Sequence, residues 1–168
     1  MTATPNDPPD KAVADENFAD WKSHPFLDGL SVEHVARLAE CAMPTHFKAG
    51  QIIFREGEMA NRFYLVLEGK VALEADSADR PPVPVDSVTA GDVLGWSWLF
   101  PPYTWNFSAR SLEPGRAIFF YGTWLRERCA EEPALGYELM KRTSAVLVRR
   151  LQVTRQELVC AVATLGRS

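Results

Sequence analysis

The stretch KAGQIIFREGEMANRFYLVLEGKVALEA, residues 48–75, decides the fold. Its apolar residues come in short runs, IIF, FYLVL and VAL, set off by Gly50, Gly57 and Gly69. Runs this short do not make ordinary helices, and their β-branched and aromatic content suits strands. They predict strands over 46–48, 52–54, 63–67 and 71–73, with Leu67-Glu68-Gly69-Lys70 as a tight hairpin turn.

Downstream, residues 75–90 hold Pro81, Pro82 and Pro84 and predict a loop-rich excursion. Strand signals return at 93–94, 107–111 and 117–120. Many short strands with glycine punctuation imply a mainly β fold with flanking helices, a double-sheet jelly-roll. Before the strands, Ser31 suits a helix N-cap, and Val32, Val35, Leu38 and Ala39 recur at helical spacing until Pro44. After them, a short helix is expected over 123–129 with Thr123 as cap, and Pro133 suits the first turn of a long helix reaching about Leu165.

In that last helix Met140, Ser144, Leu147, Leu151, Thr154, Leu158, Ala161 and Leu165 alternate in steps of four and three, a heptad seam. A lone helix cannot bury such a stripe beyond the sheet it leaves. Leu147, Leu151, Thr154, Leu158 and Leu165 therefore predict a homodimer through paired helices. The expected organisation is a disordered acidic leader over 1–22, a helix, roll and short helix over 23–132, and the dimerisation helix over 133–168.

Charge excludes more than it assigns. Of 22 acidic and 18 basic residues, five acidic and one basic fall in the first twenty, which leaves the body balanced. Nothing advertises a nucleic-acid surface. The leader lacks the basic start and apolar core of a signal peptide, and no run is long enough to span a membrane. Cys41, Cys129 and Cys160 are unclustered, which suits buried thiols in a reducing cytoplasm. His24, His34 and His46 all precede the roll and form no metal pattern. A cupin would need histidines within residues 47–120, and none is there. No catalytic set emerges, so a non-enzymatic protein is expected.

Three stretches carry a resemblance: residues 48–75, the sequence AGDVLG at 90–95, and RRLQVT at 149–154. In that order they resemble the cyclic-nucleotide-binding domain of the catabolite activator (CRP/FNR) family. The resemblance implies a β-roll, a phosphate-binding cassette beginning at 90–95, and a long dimer helix. It also implies a Gly-Glu pair for the ribose and, about ten residues on, an arginine for the phosphate. A buried monoanion needs such a partner, and a guanidinium fork suits it best. Here Gly95 holds the glycine position, but Trp96 stands at the glutamate position. The arginine position falls on Trp105, Asn106 or Phe107, and no basic residue lies between Arg80 and Arg110. The residues name no cofactor and disfavour a cyclic nucleotide.

Three readings stay open. The first is a sensor or regulatory module whose cassette, GDVLGWSWLFPPYTWNF at 91–107, has become aromatic. Leu94, Gly95, Trp96, Ser97, Trp98, Trp105, Asn106 and Phe107 then either fill the cavity or line a pocket for a planar, lipid-like or haem ligand. The second is a genuine cyclic-nucleotide receptor with an atypical cassette. Backbone N–H groups near 96–99 would cradle the anion, and Thr154 matches the family's base-reading threonine. Thr154 is equally a polar seam residue that sets register. The third is a ligand-free dimerisation scaffold that docks a partner protein. The family's transcription factors continue into a winged helix-turn-helix, for which ten residues past Leu158 leave no room, so direct DNA binding is not expected. The basic residues of the last helix, Arg142, Arg149 and Arg150 among them, are expected on a solvated face.

Overall fold

The computed structural model describes residues 16–77 and 79–165. In them two four-stranded antiparallel sheets face each other. The strands are β1 (Met43–Phe47), β2 (Ile52–Phe54), β3 (Arg62–Glu68), β4 (Lys70–Ser77), β5 (Arg80–Thr89), β6 (Val93–Leu94), β7 (Ser108–Ser111) and β8 (Gly115–Tyr121). The first sheet runs β1-β8-β3-β6 and the second β2-β7-β4-β5. Helix α1 (Val32–Ala39) precedes the roll, and α2 (Gly122–Glu131) and α3 (Pro133–Leu165) follow it.

The run FYLVL has no polar alternation because β3 is covered on both faces. Phe63 and Leu65 join one core, with Leu38, Leu125, Leu135 and Leu139 of the helices. Tyr64 and Val66 join another, inside the roll, with Val71, Leu73, Ala109 and Phe119. β8 divides in the same way, Ile118 and Phe120 outward and Ala117 and Phe119 inward. A sheet buried on both sides needs apolar residues at every position. Each large side chain so buried contributes about 1.5–3 kcal/mol. The β3–β4 hairpin turns on Gly69 at φ +93°, where a β-carbon would lie 2.8 Å from the Gly115 Cα.

Residues 75–77 and 80–89, expected as a loop, are not one. They continue β4 and form β5, with Glu74 opposite Pro84 and Ala75 opposite Val83. β5 ends its sheet, where prolines are tolerated, and Pro81 and Pro82 fall at the register shift between Ala75 and Ser77. The leader boundary at residue 22 also moves. Glu16–Ser23 is a 3₁₀ helix with Phe18 and Trp21 buried. Trp21 meets Phe120 edge-on at 6.0 Å. Beside it, Arg116 pairs with Asp20 at 2.8 Å and with Glu68 at 2.9 Å. The rest of the expected leader, residues 1–15, lies outside the described residues.

Ser31 caps α1 as expected, its Oγ accepting from the His34 N–H at 3.2 Å. Thr123 does not cap α2; Tyr121 holds that place, and Gly122 follows because a β-carbon there would lie 2.9 Å from the Trp98 Cβ. α3 buries Leu135, Leu139 and Thr143 against the domain. From Leu151 to Leu165 every residue is exposed. The thiols differ from the uniformly buried set expected. Cys41 and Cys129 are half-buried, and burial pushes Cys41 up to about 12, but Cys160 is exposed on α3. No helix among the described residues is long and apolar enough to cross a membrane.

Candidate ligand cassette

After β6, Gly95 turns the chain into a single 3₁₀ turn, Trp96–Leu99. Gly95 stands at φ +89°, and a β-carbon on it would lie 2.9 Å from both the Arg62 carbonyl oxygen and the Trp105 ring. Any side chain is excluded twice over, by the left-handed backbone and by contact. Trp105 is only 4% exposed and lies flat on Phe54, with 3.9 Å between ring centroids and 13° between planes. Its backbone is pinned as well. The Trp105 N–H donates to the Glu58 carbonyl at 2.9 Å, and its carbonyl accepts from the Gly57 N–H at 2.9 Å.

Leu94, Gly95, Trp96, Ser97, Trp105, Asn106 and Phe107 border one residual cavity of about 10 Å³. A single water needs on the order of 10–15 Å³, so the space is closed to anything larger. Asn106 Nδ2 donates to Ser97 Oγ at 3.0 Å, so these two polar groups satisfy each other. Trp96 is half-buried and packs edge-on against Phe100 at 6.2 Å.

Two expected pocket residues are elsewhere. Trp98 is fully buried in the outer core, 5.8 Å from Phe63, and its carbonyl accepts from Arg126 Nη1 at 2.7 Å. The turn between Trp96 and Trp105 thus sends its tryptophans into different cores. Thr154 sits on the exposed part of α3, and the cavity wall does not include it.

The wall does include Arg150, with Phe54 and Leu73. The Arg150 side chain is 18% exposed, so it is not on the solvated face expected for it. Its Nη2 donates to the Val93 carbonyl at 3.2 Å, and its Nε lies 3.8 Å from Asp86. Burial lowers its pKa, with Asp86 and Asp92 offsetting part of the effect; a guanidinium keeps its charge regardless. Beside it Arg149 pairs with Asp92 at 2.8 Å, and Asp92 accepts from the Thr89 N–H at 3.1 Å. Arg142, also expected in solvent, reaches the Asp28 carbonyl at 2.8 Å and is 13% exposed. Among the described residues, the one cation that lines the cavity therefore comes from α3 and not from residues 80–110. Its only sequence signal is the Arg149-Arg150 pair on the flank of the apolar seam.

The cyclic nucleotide-binding domain model matches residues 44–132, from β1 to the end of α2. The chain belongs to the cyclic nucleotide-binding domain family. A CRP-like cAMP-activated global transcriptional regulator of Mycobacterium tuberculosis is 27% identical over 139 residues, 83% of this chain. The chain spans 60% of that relative's length. Among solved structures, a Geobacter metallireducens protein of the cyclic nucleotide-binding class superposes with a TM-score of 0.71 at 31% identity. That superposition covers 83% of this chain and 99% of the other. The Thermus thermophilus catabolite activator protein shares the fold, with a TM-score of 0.63 at 23% identity, over 82% of this chain and 63% of its own. Relatives of this cyclic nucleotide-binding domain are regulators, and the resemblance carried by residues 48–75 and 90–95 is to that family.

Proposed function

We propose that this chain is a non-enzymatic regulatory module of the cyclic nucleotide-binding fold whose phosphate cassette is occupied by its own side chains. One observation carries the reading: Trp105 closes on Gly95 and leaves about 10 Å³ where a ligand would sit. A cyclic nucleotide would have to expel a tryptophan stacked on Phe54 and then find a partner for its phosphate. Calorimetry of the purified protein with cyclic AMP and cyclic GMP gives no heat on this reading. Micromolar binding of either overturns it.

The module works as a homodimer in the cytoplasm. Leu151, Leu158 and Leu165 are 70%, 64% and 76% exposed along one stripe of α3, which supports pairing with a second copy. Regulation then runs through the packing of α3 on the roll, with Glu132 and Pro133 as the break between α2 and α3.

Arg150 supports a second reading, a cyclic-nucleotide receptor with an atypical cassette. Its guanidinium borders the closed cavity beside Gly95 and Ser97. If Trp105 swung out, an anion there would meet a cation from α3. The same calorimetry separates the two, and native mass spectrometry of the purified protein shows whether any other molecule is held. A ligand-free scaffold comes out empty.

A further inference from the structure

His24 ties three parts of the chain together through one ring. It is 3% exposed and caps the 3₁₀ turn Pro25–Leu27. Its Nδ1 accepts from the Phe26 N–H at 3.2 Å, and its Nε2 lies 3.2 Å from both the Val66 and the Asp92 carbonyl oxygens. Two acceptors at Nε2 and a donor at Nδ1 fix the neutral tautomer with its proton on Nε2. An imidazolium does not fit this cap. A proton on Nδ1 would point at the Phe26 N–H, and two buried donors would face each other with no acceptor between them.

Pro25 and Phe26 wall an open groove of about 570 Å³ against α3, together with Asp28, Asp92, Arg142 and Arg149. Two ties join its sides. Arg142 Nη2 donates to the Asp28 carbonyl at 2.8 Å, and Arg149 Nη2 pairs with Asp92 Oδ1 at 2.8 Å.

We propose that His24 is a proton-operated latch on α3. As the neutral imidazole it holds the turn Pro25–Leu27 to β3 and to the turn before β6. As the imidazolium it leaves the cap, and residues 25–28 come away from α3 at Arg142. The anions that face the ring are Asp92 and Asp28, and the cations Arg149 and Arg142 of α3 reach those same two residues. β3 presents the Val66 carbonyl to it. Burial, the largest cause, holds the seated ring's pKa below 6.5, with the two carbonyls and both carboxylates offsetting part of this. A ring released to water protonates near 6.5, so below that pH each further unit favours the open latch about tenfold, until the seated ring titrates too. No residue of the latch borders the cavity beside Trp105, so the latch does not depend on whether a cyclic nucleotide binds.

The test is an NMR titration of the full chain from about pH 7.5 to pH 5, with amide hydrogen exchange at each step. The Phe26, Leu27 and Asp28 amides, all hydrogen-bonded in this turn, should exchange through an opening that β3 and β8 do not share. Their protection should stay about tenfold or more below that of Leu65 and Ile118, and should fall about tenfold per pH unit below 6.5. The Arg142 Nε–H signal should move with the same midpoint. His24→Asn places a non-titrating oxygen where Nδ1 accepts, so in that variant the pH slope of the three amides should vanish. If His24→Asn does not fold, the wild-type exchange decides alone. Protection of the three amides that is independent of pH or equal to that of β3 overturns the proposal. So does an unmoved Arg142 signal, or the same slope in folded His24→Asn.

Discussion

The Trp105 ring stands 2.9 Å from the place a β-carbon on Gly95 would take. The tryptophan ten residues after that glycine packs against it and leaves a cavity of about 10 Å³ beside the turn. Phe54 holds the ring from its other face at 3.9 Å, an aromatic pair worth about 0.5–1.5 kcal/mol beyond the area it buries.

Removing the Trp105 ring should cost stability before it alters anything else. Trp105→Ala should destabilise the domain by about 3–5 kcal/mol, read as a lower urea midpoint. Gly95→Ala should also destabilise, through its φ of +89° and its contact with the ring. In a double-mutant cycle its cost should shrink in the Trp105→Ala background without vanishing, because the Arg62 carbonyl still crowds it. Strict additivity would show that the two residues do not share the space.

The neighbouring arginines of α3 should behave unequally. Arg149 is 62% exposed in its pair with Asp92, so Arg149→Ala should change stability by about 0–1 kcal/mol. Arg150 is 18% exposed and serves the Val93 carbonyl, so Arg150→Ala should cost more, about 1–3 kcal/mol. Hydrogen exchange should quicken around residues 147–154 in the second variant only. Equal effects would mean that Arg150 is no more than a surface charge.

Leu151→Asp should convert a dimer into a monomer in sedimentation velocity with little loss of roll stability. Leu151 is 70% exposed, and nothing else in the described residues covers it. A helical segment as short as 151–165 is marginal alone in water, so its amides should also lose protection in the variant. An unchanged dimer refutes the seam.

His24 should make the domain sensitive to mild acid. It is 3% exposed; its Nε2–H donates to the Val66 and Asp92 carbonyls at 3.2 Å each, and its Nδ1 accepts from the Phe26 N–H at 3.2 Å. Burial, the largest cause, holds its pKa below 6.5, and the two carbonyls offset part of this. As pH falls through 6.5 the unfolded chain takes up a proton that the folded one refuses. Stability is therefore full above that pH and lost below it, until the lower folded pKa is passed. Melting temperatures from about pH 8 to pH 5 should show this slope in the wild type and a flatter one in His24→Gln. Parallel curves would rule out His24 as its source.

Much of the roll is legible in residues 48–75 because its turns demand glycine and its strands are buried on both faces. The misses have the opposite character. β5 hides behind Pro81, Pro82 and Pro84, which read as loop unless the strand is known to lie at a sheet edge. The segment Glu16–Ser23 looks solvated because its polar and charged residues outnumber its apolar ones, yet Phe18 and Trp21 are buried. Trp98 and Trp105 are alike in sequence, yet one packs with the helices outside the roll and the other lies within it.

The chain by itself determined the order of elements, the glycine hairpin, the long helix from Pro133, and the lack of the usual charges after Gly95. These are local properties, set by backbone conformation and by the period of apolar residues. Only the tertiary structure decided that Trp105 packs against Gly95, that Trp98 lies in the outer core, and that Arg150 from α3 borders the residual cavity. Those facts depend on contacts between residues far apart in sequence. Such contacts exist only once the two sheets and α3 have packed together.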